Sequence, residues 1–261
     1  MRFGVCIGAR GKEYVEFIKN AKYDYIEGTF CTVKELEKNV FNELANELKA
    51  NDIAYETFNG YFPKIDGLTV VGDKADFEFL TEYSKEGFER AAILGGKVIV
   101  IGSGKSRIIP EGFSREKAQE QYARFLSFCG DLAKDYGMKV VVEPLNKKET
   151  NFINTVQECI DLCKFTGHDN VFALADFFHV FMNGEGLEAI ENAGKMLQHV
   201  HIARANEDRY NPTEADIEDC KKWAEALRKC GYNDRLTLES RFNPDFDTAI
   251  VQTRPVLDIF N

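Results

Sequence analysis

Four residues of metal-ligand type stand at the ends of four successive apolar runs in the second half of the chain. Glu143 ends "VVVE", Asp176 ends "ALAD", His201 falls in "QHVHI" and Glu239 ends "LTLE". Asp176 poses the problem most sharply. It lies in "ALADFFHVF" (173–181), where only His179, three positions on, is polar besides it. An ionised carboxylate buried in such company costs several kcal/mol unless it is paired or bound to a cation. One carboxylate after an apolar strand ordinarily caps a helix or completes a salt bridge. Four such residues at one face are different, because three carboxylates and an imidazole brought together repel one another without a cation. A divalent metal resolves both difficulties. Carboxylate oxygens with one imidazole and no thiolate suit a hard or borderline ion, so Mn²⁺ ranks first, with Mg²⁺, Co²⁺ and Zn²⁺ as alternatives.

The elements that would position these residues follow from the pattern around them. Short β-rich apolar runs alternate with longer amphipathic stretches, and four junctions are nearly superimposable: "LGGKVIVIG" (94–102), "YGMKVVVEP" (136–144), "TGHDNVFALAD" (166–176) and "CGYNDRLTLES" (230–240). Each reads as a helix ending at glycine and then a buried strand. "TVKE" (32–35) and "TVQE" (155–158) fit the capping box at helix starts, and Ser114 and Thr213 are further caps. Strands are expected near 3–8, 23–27, 53–58, 97–102, 139–143, 171–176, 198–202 and 235–239, with helices between them. Regular β-α alternation implies a parallel sheet. Eight units in about 250 residues favour an α/β fold closed as a (β/α)₈ barrel. No linker or composition break interrupts it, so residues 1–261 read as a single domain. In such barrels the catalytic groups sit where strands end, at the C-terminal face. His199 shares the inward face with His201, since strand side chains repeat every two residues. It is read as a supporting group behind the ligands or as core packing. His168, after a glycine, is expected in an exposed turn, and Glu27, ending "YIE", at the mouth or in a loop salt bridge.

Composition excludes several classes. A formal charge of −10 argues against a nucleic-acid partner, since that affinity comes from clustered Lys and Arg. No apolar run approaches the ~18 residues of a membrane span, and the N-terminus lacks the apolar stretch of a secretory signal. The expected location is cytoplasmic. The seven cysteines are odd in number and form no C-x-x-C pair, which fits mostly buried thiols rather than a disulfide framework or a zinc knuckle. "GSGK" (102–105) lacks the phosphate-loop spacing. The aromatics of "FNGYFPK" (58–64) are candidates for stacking on a sugar, with core packing as the ordinary alternative.

With these residues in view, the sequence resembles the xylose-isomerase-like barrel superfamily, and within it the ketose 3-epimerases of the tagatose and psicose type. The resemblance implies that Glu143, Asp176, His201 and Glu239 hold the metal. In "EPLNKKE" (143–149), Asn146 and Glu149 keep the spacing of the epimerases, and the family uses the second glutamate near the substrate. "DFFH" (176–179) matches a D-x-x-H in which the histidine contacts a substrate oxygen, the role this gives to His179. A departure lies in the substrate-binding arginine six residues after the ligand histidine. That position is Glu207 here, flanked by Arg204 and Arg209, so the role falls to one of those two or is lost.

The implied chemistry moves a proton at a carbon next to a ketose carbonyl through a cis-enediolate. Epimerisation needs an acid/base group on each face of that planar intermediate, and Glu143 and Glu239 approach from opposite sides of the barrel mouth. The expected partner is a small sugar or keto-sugar, with a homo-oligomer or a partner subunit as assembly. "EPLN" with "NFINT" (151–155) also resembles hydroxypyruvate isomerases. The departure at Glu207 keeps open lyase-type enolate chemistry on a keto-sugar, as in inosose dehydration or C-glycoside cleavage. A non-catalytic sugar-binding subunit is disfavoured by the intact ligand set, and an apurinic endonuclease by only four histidines, all beyond residue 167.

Overall fold

The computed structural model describes residues 1–8, 10–65 and 67–261. Eight strands close into a barrel in sequence order, and every neighbouring pair is parallel. They are β1 (Arg2–Cys6), β2 (Tyr25–Thr29), β3 (Tyr55–Asn59), β4 (Val98–Ile101), β5 (Lys139–Val142), β6 (Val171–Asp176), β7 (Leu197–Ile202) and β8 (Arg235–Leu238). Among the described residues the α-helices are α1 (Val15–Asn20), α2 (Phe30–Glu35), α3 (Lys38–Ala50), α4 (Phe77–Ile93), α5 (Arg115–Asp135), α6 (Val156–Thr166), α7 (Phe177–Met182), α8 (Glu188–Glu191), α9 (Ile217–Cys230) and α10 (Phe246–Leu257). This is the expected (β/α)₈ architecture, with each strand within a few residues of its expected place. Among the described residues no helix is long and apolar enough to cross a membrane, and all seven cysteines are free thiols.

The junction glycines work as read. Gly95, Gly137, Gly167 and Gly231 all have positive φ, between 63° and 97°, a region that costs a side chain with a Cβ about 1 kcal/mol or more. The helix-start signals were less uniform. Ser114 caps α5 by accepting from Lys117 N, and Thr155 caps α6 by accepting from Glu158 N. Thr213 forms a full capping box with Asp216 ahead of α9. "TVKE", by contrast, does not start a helix. α2 begins at Phe30 with Thr29 as its N-cap residue, because β2 runs on to Thr29 and leaves no room for a later start.

The helices bury apolar stripes against the outside of the barrel. α9 shows the pattern, with Cys220, Trp223, Ala224 and Leu227 buried at helical spacing and Trp223 stacked on Phe177 at 4.7 Å. The barrel interior is divided. Val98, Val100, Val141 and Leu174 form a separate apolar cluster on β4, β5 and β6. The facing wall carries buried Tyr25, Glu27, Thr57, His199, His201 and Thr237. Gly4 on β1 makes that wall feasible, because a Cβ there would lie 2.2 Å from the Tyr25 ring. Tyr25 therefore crosses the interior and bonds Thr237 Oγ1 at 2.8 Å.

Glu185, in the turn after α7, accepts from Val156 N at 3.1 Å at the start of α6, while its other oxygen is buried without a hydrogen-bond partner among the described residues. Burial pushes its carboxyl up to about 7. A carboxyl raised on folding binds more protons folded than unfolded, so its contribution to stability is present below about pH 4.5 and lost as pH rises through about 7. Glu185→Gln is expected to gain thermal stability over the parent between pH 5 and 7.5 and to keep that gain above it. A pH-independent difference in melting temperature would contradict this assignment.

Candidate active site

The C-terminal strand ends bring Glu143, Asp176, His201 and Glu239 together, each offering one ligand-type atom with all four within 4.8 Å of one another. Glu143 and Glu239 directly follow β5 and β8, Asp176 ends β6, and His201 is the last inward residue of β7. His201 Nδ1 lies 3.0 Å from Glu239 Oε2 and 3.3 Å from Glu143 Oε1. Arg209 enters from the β7–α9 loop, its Nη2 2.7 Å from Asp176 Oδ2 and 2.6 Å from Glu239 Oε2. Asp176 also caps α7, accepting from Phe178 N at 2.9 Å through its other oxygen. The aspartate in "ALADFFHVF" is thus met by a guanidinium and a helix end.

The two glutamates feel different surroundings. Burial and the neighbouring Glu239 raise the Glu143 carboxyl, against the opposing pull of His201. Burial would also raise Glu239, but Arg209 and His201 outweigh it and hold that carboxyl well below the usual range. Burial lowers His201, yet Glu27 and Glu239 carry it well above the ordinary imidazole value. Two acid/base candidates at one point are therefore driven apart, the arrangement that separates a proton donor from an acceptor.

His179 lies beside this group, with Nε2 3.7 Å from Asp176 Oδ2 and 3.9 Å from Glu143 Oε1. Asn146 N donates to its Nδ1 at 3.2 Å, which assigns the proton of the neutral ring to Nε2, on the side of the cluster. Asn146 Nδ2 also binds Glu149 Oε1 at 2.8 Å. Glu149 therefore reaches Asn146 at the rim. Arg204 and Arg209 part company. Arg204 turns away to Asp216 at 2.9 Å and Thr213 at 3.0 Å, satisfying the α9 cap, so its expected place at the substrate is corrected. Arg209 adopts a left-handed φ of 55° and stacks its guanidinium 4.7 Å from the Phe178 ring. Strain of that kind, about 1 to 3 kcal/mol, collects where position matters more than comfort. Glu207 points outward to Lys148.

Other expectations need correction. Tyr61 and Phe62 of "FNGYFPK" are core residues, with Tyr61 stacked on Phe30 at 4.3 Å. They are withheld from any ligand because α4 covers them. His168 is not exposed; it pairs with Asp131 at 3.1 Å. "GSGK" makes room for the site: a Cβ on Gly102 would meet Glu143 Oε2 at 1.9 Å, and one on Gly104 would meet Glu149 O at 2.9 Å.

Two buried groups, Asn59 and Arg107, went unread in the sequence. Asn59, ending β3, donates to Glu239 Oε1 at 2.6 Å and to Cys6 Sγ at 3.2 Å. Arg107 is fully buried and donates to the Glu143 carbonyl at 2.7 Å. Their only signal was polarity at an inward strand position or in a loop beside the barrel. Glu27, expected at the mouth or in a loop salt bridge, is instead fully buried against His199 and His201.

The donor set fits a divalent cation: three carboxylates and one imidazole converge, thiolate stays outside the set, and Arg209 shows that the carboxylates demand positive charge.

Comparison with known proteins agrees with the fold. The model of the xylose isomerase-like TIM barrel family matches residues 15–254. An inosose isomerase of Bacillus velezensis is 26% identical over 249 residues, 90% of this chain and 84% of its own. A D-psicose 3-epimerase from Clostridium cellulolyticum H10, solved with D-tagatose, superposes with a TM-score of 0.81 at 20% identity, covering 100% of this chain and 98% of that one. The IOLI protein, solved with a zinc atom, superposes with a TM-score of 0.77 at 19% identity, covering 100% and 98%. These two structural likenesses are likenesses of fold.

Removing Arg209 would leave Asp176 buried beside Glu239 without its cation. Arg209→Met is expected to lose roughly 2 to 4 kcal/mol of stability in chelator at pH 7, the lower part of that range reflecting its partial exposure. Adding Asp176→Asn should return much of the loss. Urea unfolding of the single and double variants checks this, and additive losses would contradict it.

Proposed function

Because the chain belongs to the xylose isomerase-like TIM barrel family, and with an isomerase aligned over 90% of it, we propose that it is a divalent-metal-dependent sugar isomerase or epimerase. It would move a proton at the carbon beside a ketose carbonyl. The observation that supports this best is the convergence of Glu143 and Glu239 on one point with Asp176 and His201. A cation bound by those four, Mn²⁺ first, would supply Lewis-acid polarisation of the carbonyl and hold the negative charge that develops on oxygen.

The chain's own residues account for the remaining steps. Glu239, held ionised by Arg209 and His201, takes the proton from carbon. Glu143 returns a proton on the opposite face of the planar intermediate. In the reverse direction the roles exchange. His179 presents Nε2–H to a substrate oxygen. Arg209 keeps a buried Nε with no hydrogen-bond partner among the described residues, a donor available to a second oxygen. Asn146 and Glu149 hold the His179 ring from behind. The aligned relative is named for an inosose, so keto-polyols stand beside ketoses as substrates.

The test is turnover of D-fructose, D-psicose, D-tagatose, hydroxypyruvate and an inosose in D₂O, with and without chelator. We expect chelation to abolish activity, Mn²⁺ to restore it, and solvent deuterium to enter the carbon next to the carbonyl. Glu143→Gln and Glu239→Gln should each lower kcat by about 10² to 10⁴. Full turnover in either variant, or full activity after exhaustive chelation, would overturn the proposal.

A further inference from the structure

We propose that Glu27 is a positioning residue that fixes the ring of His201, so that one defined nitrogen faces the cation site. This rests on the metal reading above and adds a residue to it. The imidazole of His201 lies between two sets of carboxylates. On one edge, Nδ1 faces Glu143 and Glu239. On the other, Nε2 hydrogen-bonds Glu27 Oε2 at 3.2 Å and lies 3.0 Å from Oε1. A carboxylate at full burial only accepts, so the Nε2 edge must donate. In the neutral ring that leaves Nδ1 with the only lone pair, aimed at the point shared with Glu143, Asp176 and Glu239. A histidine ligand whose other nitrogen donates to a carboxylate has its tautomer and rotation fixed and its basicity raised.

Glu27 is itself held rigidly. Its Oε2 accepts from Thr57 Oγ1 at 2.6 Å, His199 Nε2 at 2.9 Å and Thr237 Oγ1 at 3.1 Å. These donors come from β3, β7 and β8, so four walls of the barrel converge on one carboxylate. Thr237 in turn bonds Tyr25, and Tyr25 owes its path to Gly4. Glu27, His199 and His201 also lie close enough to bind a cation of their own. Both threonine hydroxyls donate to Oε2 and Oε1 lies 3.0 Å from His201 Nε2, an arrangement that turns the carboxylate onto the imidazole and favours the other role. His199 thus becomes a brace for Glu27, its Nδ1 without a hydrogen-bond partner among the described residues.

The test is Mn²⁺ affinity, read from the free-ion EPR signal in titrations of the apo-protein. Glu27→Ala should weaken binding about 10- to 100-fold. Glu27→Gln, which keeps an acceptor and loses the charge, should weaken it less. Thr57→Val, which removes one donor that holds Glu27 but leaves its carboxylate on His201, should weaken affinity less than Glu27→Ala does, and a loss as large as that of Glu27→Ala would assign the effect to the cluster rather than to the Glu27–His201 contact. Wild-type binding with both Glu27 variants within twofold of it would overturn the role of Glu27 alone, whereas absence of any Mn²⁺ binding by the wild type would overturn the metal reading and this one together. A measurement free of variants is ¹⁵N NMR of the Zn²⁺-loaded wild type, where His201 should carry its proton on Nε2. A proton on Nδ1, or metal on Nε2, would overturn the proposal whether or not the variants fold.

Discussion

Everything at the mouth of this barrel depends on one electrostatic constraint: buried carboxylates from separate strands must be held together by positive charge. Glu27, Glu143 and Asp176 are almost wholly inaccessible, and Glu239 keeps 21% of its side chain exposed. Left unpaired, each would cost several kcal/mol. Two cationic side chains stand among them, His201 between Glu27 and the outer pair, and Arg209 between Asp176 and Glu239. Two positive groups for four acids is a ratio that raises one carboxyl, Glu143, and invites a further cation. The asymmetry between Glu143 and Glu239 and the proposed cation site thus have the same source.

The fold meets this constraint by dividing the barrel interior. β4, β5 and β6 face inward with valine and leucine below their last residue, a close-packed wall that sets where Glu143 and Asp176 emerge. The opposite wall, β7, β8, β2 and β3, is a layer in which Tyr25, Thr237, Glu27, Thr57 and His199 are linked by hydrogen bonds. A polar layer so deep is tolerable only when its members are paired. It is the support on which His201 stands. Arg107 plays a comparable part on the apolar side, where it grips the Glu143 carbonyl without touching the carboxylate.

The architecture was legible because it is written locally. Helix-ending glycines and buried strand runs repeat with the same spacing, and each glycine proved to have the positive φ that only glycine takes cheaply. The four converging residues were legible for a related reason: a polar residue closing an apolar strand has a known direction and a known end of the barrel. Glu27 was harder. It sits inside β2 in "YIEGT", and nothing in that stretch shows that three other strands would send donors to it. Arg107 lies in a short turn after β4, and its burial is set by α5 and the β5 loop. The choice between Arg204 and Arg209 turned on the α9 cap, which engages Arg204 through Asp216 and Thr213. The aromatics after β3 were ambiguous in sequence because stacking on a sugar and packing under a helix use the same residues.

The central claim is that one divalent cation sits where these four strands end, and anomalous diffraction from crystals grown with Mn²⁺ tests it most directly. The account predicts a single strong peak in coordination contact with Glu143, Asp176, Glu239 and Nδ1 of His201. A map with no peak there, or with manganese bound only elsewhere on the protein, would contradict it.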